Sequence, residues 1–306
     1  MKIVPARYVG LLLLSVSTYA SAATPAPALT TDMGPVHVDY EATGLTVTEP
    51  QVLHWIDTAR RAVTEYYGRY PVATVTIRVK ARPGDGDPSG TTYGDEDGAY
   101  IRLGIGTDTS DADLQAAWVM THEMVHLAFP HVAENHHWIE EGLATYVEPI
   151  ARAQIGDLSV DYLWQETIEG MPKGLPGPDD QGLDHTPTWG RTYWGGAMFC
   201  LLADVQIREQ THNKKGLQDA LRGILADGGN LQTETEMDHV LHVADAAVGG
   251  TVLEDLYAQM KDKPVQVDLP ALWKKLGVSL QDGKVVYDDK APDAAIRKAI
   301  TAPVSQ

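Results

Sequence analysis

The pattern His122-Glu123-Met124-Val125-His126 constrains this chain more than any other stretch. Two histidines four residues apart fall on one face of a helix, with their imidazoles roughly 6 Å apart along its axis. At that separation two neutral imidazole nitrogens can hold one zinc ion, each at about 2.0–2.1 Å. Glu123 follows the first histidine and projects beside such a metal rather than onto it, where a carboxylate can take a proton from water. The competing reading is a pair of core histidines that meet this spacing by chance. The surroundings favour the metal. Ser110-Asp111-Ala112-Asp113 suits an N-cap and an acidic first turn. A helix is predicted from Leu114 to Phe129, closed by Pro130. Leu114, Ala117, Trp118, Thr121, Val125 and Ala128 recur at three- and four-residue steps as its buried stripe.

Two histidines leave a zinc site incomplete, because catalytic sites use three protein ligands and keep a further position for water. The next candidates stand in Trp138-Ile139-Glu140-Glu141-Gly142-Leu143-Ala144. This stretch resembles the Trp-x-x-Glu-Gly-x-Ala segment of gluzincin metallopeptidases, closest to the aminopeptidase-N-type and glycyl-aminopeptidase-type families. The resemblance implies that the Glu just before Gly binds zinc, which is Glu141 here, with Glu140 as the fallback. Only fourteen residues separate His126 from Glu141, fewer than those families lead one to expect. The connection must then be a tight turn, which Pro130 to Asn135 can supply. His131, His136 and His137 are rival ligands. The metzincin pattern puts Gly three and His six residues after the second histidine. Phe129 and Val132 occupy those positions, so His131 is out of register, and His136 and His137 read as loop or rim residues.

Tyr193-Trp194-Gly195-Gly196-Ala197 resembles the Tyr-x-x-Gly-Ala helix start of both families, and the resemblance implies that Tyr193 stabilises the transition state. The segment Leu269 to Val278 resembles the closing segment of glycyl-aminopeptidase-type proteins. The likeness covers roughly Leu114 to Ile300. It does not extend to the large β-domain that precedes the catalytic lobe in many aminopeptidases. Nor does the chain carry their Gly-Ala-Met-Glu-Asn strand, whose Glu reads a free α-amine. Gly94 to Tyr100 lies where such an edge strand would fall, and its carboxylates either contact an amine or form a solvated acidic turn.

The rest of the chain supplies the setting. Lys2 and Arg7 precede an apolar run from Val9 to Val16, and Ala20-Ser21-Ala22 has the form of a signal-peptidase site. Residues 1–22 are therefore expected to be a signal peptide and 23–32 a linker. An α/β lobe with the zinc helix is expected over 33–150 and a mostly helical lobe over 151–306. Removing residues 1–22 takes the formal charge from −18 to −20. Such acidity argues against nucleic acid and anionic membrane as partners. Cys200 is the single cysteine, so no internal disulfide forms, and within Ala197-Met198-Phe199-Cys200-Leu201-Leu202 it reads as a buried apolar residue. Strands are predicted at His37–Ala42, Ala73–Val79 and Ala99–Gly104, and a helix from Glu49 to Tyr67 with Thr48 as cap. Arg82 to Asp97 reads as an exposed loop, and Met171 to Gly190 as a lid or cleft rim. Further helices are predicted through Arg208, over Leu217–Leu225 and over Leu253–Met260, and a turn followed by a helix over Val285–Ile300.

The expected fold class is α+β, a thermolysin-like (gluzincin) catalytic fold with a small mixed-sheet lobe, a mostly helical C-terminal lobe and the active site between them. The expected activity is that of an exported, periplasmic or secreted, zinc-dependent peptidase acting on peptide or protein substrates. It would use one Zn²⁺ on His122, His126 and Glu141, Glu123 as general base and Tyr193 on the developing oxyanion. The other readings are a zinc-stabilised binding protein without activity, and a metal hydrolase acting on a non-peptide amide such as a cell-wall component. The intact Glu123 argues against the first, because a purely structural site has no use for that carboxylate.

Overall fold

The computed structural model describes residues 29–303. The expected signal peptide, 1–22, lies outside them, as does the expected linker up to residue 28. From Leu29 the chain is already in the sheet. Strand β1 (Leu29–Met33) pairs antiparallel with β2 (Val36–Tyr40). Helix α1 (Glu49–Tyr67) then crosses to β3 (Val75–Arg82), which lies parallel to β2. Helix α1 begins as the sequence predicts: the Thr48 amide donates to Gln51 Oε1 at 2.8 Å, and Pro50 sits in the first turn. Val52, Trp55, Ile56, Ala59, Val63 and Tyr66 form its buried stripe.

Strands β4 (Ser89–Asp95) and β5 (Gly98–Gly106) form a hairpin, with β5 parallel to β3. The five-stranded sheet runs β1-β2-β3-β5-β4. One face is buried through Val36, Val38, Val75, Ile77, Val79, Ile101, Leu103 and Ile105, within the same core cluster as the helices. Strand β4 corrects the expectation of an exposed loop from Arg82 to Asp97. It offers no hydrophobic alternation because none of its side chains is buried. Its Gly90, read from sequence as a loop signal, instead allows close approach: a Cβ there would stand 2.4 Å from Glu123 Cγ.

The helix predicted from Leu114 to Phe129 is two helices, α2 (Asp111–Ala116) and α3 (Val119–His126). Between them Ala117 is extended, with φ −64° and ψ 128°. Distant side chains satisfy the carbonyls exposed at the break. Trp55 Nε1 donates to Ala117 O at 3.1 Å, and the Arg152 guanidinium donates to the carbonyls of Ala116 and Gln115 at 3.2 and 3.3 Å. After α3 a tight connection returns the chain through a short 3₁₀ turn at Glu134–His136 to α4 (His137–Gln154).

The remaining elements are mostly helical. They are α5 (Val160–Gly170), α6 (Gly196–Gln210), α7 (Leu217–Ala226), α8 (Met237–Val248), α9 (Val252–Met260), α10 (Leu269–Leu276), the hairpin β6 (Val278–Gln281) and β7 (Lys284–Tyr287), and α11 (Ala294–Ile300). The stretch from Met171 to Gly190, expected as a lid or cleft rim, places Lys173 and Trp189 in a cavity wall. It contains two 3₁₀ turns, and its Asp180 faces Arg191 across 2.7 Å with both side chains buried. Cys200 is buried, as its apolar surroundings predict. The molecule is α+β, and no described helix is long and apolar enough to cross a membrane.

Candidate metal centre

Helix α3 presents His122 and His126 on one face, with ring centroids 4.9 Å apart. Helix α4 brings Glu141 to them, just past its first turn: its Oε2 lies 3.1 Å from His122 Nε2 and 3.7 Å from His126 Nε2. The three candidate donor atoms all fall within 4.8 Å of one another. Two imidazole nitrogens and one carboxylate oxygen make the donor set of a catalytic zinc site, whereas Ca²⁺ and Mg²⁺ sites take oxygens. Burial, with His122 beside it, pushes His126 down to about 3, so its imidazole is neutral and keeps a lone pair at neutral pH. Burial alone would raise the Glu141 carboxyl, but the surrounding His122, His126 and His137 hold it below its ordinary value. The residues present fit one zinc ion.

The other predicted residues gather around this group. Glu123 lies against Gly90, and Thr92 Oγ1 donates to its Oε2 at 2.6 Å. Burial raises the Glu123 carboxyl above its usual value, against the opposing Thr92 hydroxyl and His122. The Tyr193 ring faces His122 with centroids 6.3 Å apart. It stands in a π-helical turn, Gly190–Gly195, that leads into α6. Burial, followed by the charge of Glu141, pushes its phenol up to about 12, so the hydroxyl stays protonated. Glu123, Tyr193 and the three donors line one cavity of about 530 Å³, with Gly90, Thr92 and Trp118 in its walls.

The rival ligands make other contacts, although His131, His137 and Glu140 also line this cavity. Glu140 is engaged by His137 Nδ1 at 3.0 Å and is not one of the converging three. His131 Nε2 donates to Gly94 O at 3.0 Å, which ties the α3–α4 connection to β4. His136 Nδ1 lies 3.1 Å from Asp184. His137 is exposed, with Nε2 3.4 Å from Glu141 Oε1. The carboxylates of Asp95, Glu96 and Asp97 are exposed at the β4–β5 turn and do not line the cavity.

Two contributors, Thr92 and Asp184, escaped the sequence reading, and so did the contact between two glycines. Thr92 holds Glu123 but sits in a strand without apolar alternation. Asp184, nearly buried, accepts from Trp138 Nε1 at 2.7 Å and Tyr257 OH at 2.9 Å, which anchors the entry to α4. Gly142 and Gly196, each quoted within a motif, touch one another: a Cβ on Gly142 would stand 2.4 Å from Gly196 Cα. Helices α4 and α6 thus meet backbone to backbone beside Glu141 and Tyr193.

The fold has a solved counterpart. An aminopeptidase N family protein from Idiomarina loihiensis superposes with a TM-score of 0.62 at 12% identity, over 83% of this chain and 49% of that one. A zinc metallopeptidase from Deinococcus radiodurans gives a TM-score of 0.48 at 15% identity, over 78% of this chain and 52% of that one. The chain thus spans about half the length of these structures. The first likeness matches the aminopeptidase-N-like region expected from the sequence. No family model matches the sequence, and no curated protein is detectably similar to it.

Proposed function

We propose that this chain is an exported zinc peptidase of gluzincin type that hydrolyses peptide bonds. The observation that carries this reading is the convergence of His122, His126 and Glu141 within 4.8 Å, beside Glu123 and Tyr193 in one cavity. His122, His126 and Glu141 would hold the ion. When bound there, zinc supplies a positive charge that polarises a carbonyl and lowers the pKa of water toward about 7. Glu123 accepts the proton of the attacking water and passes it to the leaving amine. Its carboxylate is held for this by the Thr92 hydroxyl and the backbone of Gly90. Tyr193 donates its hydroxyl to the oxygen on which negative charge develops.

A thermolysin-like arrangement, with an α/β lobe that begins at β1 and a mostly helical lobe after α4 flanking the cleft, belongs to this proposal. Export rests on the apolar run and the Ala20-Ser21-Ala22 site. The test is a peptide library, in free-amine and N-acetylated forms, incubated with the zinc-loaded protein and mapped by mass spectrometry. Cleavage that disappears with chelator and returns with zinc is expected. No cut in any peptide by zinc-loaded protein overturns the proposal. Cleavage of the acetylated forms identifies internal cutting, and its restriction to free amines identifies end-cutting.

A further inference from the structure

A second cavity, of about 360 Å³, opens off the first on the side of α5 and shares Trp118, His122 and Tyr193 with it. Its walls are aromatic: Tyr162, Trp189 and Trp194 join Trp118 and Tyr193. A row of rings leads into it from the metal-binding group. Trp118 meets His122 edge-on at 4.8 Å, Tyr193 faces His122 at 6.3 Å, and Trp189 stacks on Tyr193 at 5.8 Å.

Three of these rings are held in contact with solvent. Trp118 is 49%, Tyr162 52% and Trp189 62% exposed, three of the seven large hydrophobic side chains that stand well exposed among the described residues. Their gathering at one cavity marks a surface built to be covered. The buried charges in the wall, Glu148 and Arg152, pair with each other at 3.0 Å, and Arg152 also reaches the exposed Asp157 at 2.6 Å. Lys173 lies over the Trp194 ring at 5.3 Å. The volume is at the low end of the roughly 300–1,000 Å³ typical of ligand pockets. It suits one large side chain rather than a whole second molecule.

We propose that this aromatic cavity is the subsite for a bulky apolar residue of the peptide substrate (Phe, Tyr, Trp or Leu) next to the bond that is cut. The inference rests on the peptidase reading for its substrate but not for its binding chemistry. Flat rings favour an aromatic guest by area and by edge or face stacking, with the exposed Glu166 and Lys173 at the edge of the slot.

Two measurements on the full chain test it. In the first, cuts in the peptide library are scored for the residues flanking them. Enrichment of large apolar residues at one fixed position is expected. In Trp189→Ala the ratio of kcat/KM for a Phe peptide over its Ala counterpart should fall roughly tenfold or more. Val286→Ser, an exposed change on the β6–β7 hairpin, is the control and should keep the ratio of the parent. In the second, the Glu123→Gln protein is titrated with the same peptides while tryptophan fluorescence is followed. The Phe peptide should saturate the signal at a concentration at least roughly tenfold lower than the Ala peptide, and Trp189→Ala should remove that difference.

Cleavage without side-chain preference, or a preference unchanged in Trp189→Ala, overturns the inference and leaves the peptidase reading standing. Saturable, Trp189-dependent binding of the Phe peptide with no cleavage by the parent protein supports the cavity and overturns the peptidase reading. Saturation by N-acetylglucosamine oligomers but not by the peptides overturns the inference in favour of a sugar platform.

Discussion

Glu123 touches the backbone of β4 on one side and takes the Thr92 hydroxyl on Oε2, so a glutamine in its place keeps both the shape and a hydrogen-bonding oxygen. What the amide cannot do is accept a proton. Glu123→Gln should therefore retain one zinc per chain by elemental analysis while kcat falls by about 10²–10⁴. Turnover like that of the parent would remove Glu123 from the chemistry. Tyr193→Phe separates in the same way a catalytic hydroxyl from a packing ring. It should leave zinc content, folding and KM nearly unchanged and lower kcat by about 10²–10³, because the hydrogen bond strengthens only as charge develops. Loss of stability with normal turnover would make Tyr193 a structural aromatic. The ligands are tested by metal content alone. Glu141→Ala should lose zinc and Glu140→Ala should keep it, since Glu141 stands 3.1 Å from His122 whereas Glu140 is bound to His137. Glu123 was legible beside His122 and His126 because a helix of known pitch converts that short spacing directly into geometry, whereas Glu141 and Tyr193 were read from the resemblance of the segments that carry them.

The elements that carry them were legible only where local pattern and tertiary structure agree. Helix α1 announces itself through Thr48, Pro50 and a regular apolar stripe, and its observed span matches the prediction. The break at Ala117 does not, because the partners that satisfy its carbonyls, Trp55 and Arg152, lie 62 and some 36 residues away. Strand β4 is hidden for a different reason: its cavity-facing side uses small residues so that Glu123 can approach, and small residues read as a loop. The same logic explains the glycines of the two motifs. A methyl group on Gly142 or Gly196 would drive α4 and α6 apart where Glu141 and Tyr193 must meet. Gly142→Ala is predicted to cost about 1–3 kcal/mol or more by denaturant unfolding, the range for overpacking. It should also weaken zinc binding. Zinc affinity and stability both equal to the parent would show that α4 and α6 can separate without moving the site.

For the molecule as a whole, the candidate centre links parts of the chain that the backbone joins only through a tight turn and a rim. His122 and His126 belong to α3, which follows the sheet, Glu141 opens α4, and Tyr193 precedes the helical remainder. With no disulfide available to the single Cys200, an ion held by both α3 and α4 would be the one strong cross-link between these helices. A ligand that binds only the folded state stabilises it by roughly 2.7 kcal/mol at a hundredfold excess over its Kd. For chains of 150–250 residues each kcal/mol moves Tm by about 2–4 °C. For this longer chain, full removal of zinc by chelator should accordingly lower Tm by up to roughly 5–10 °C, and stoichiometric zinc should restore it where excess Mg²⁺ does not. Glu141→Ala should melt near the chelated parent and respond little to added zinc, because the span from α3 to α4 is broken at one end. A Tm indifferent to chelation, with metal loss confirmed by elemental analysis, would mean that the packing of α4 on α6 at Gly142 and Gly196 holds the site open unaided.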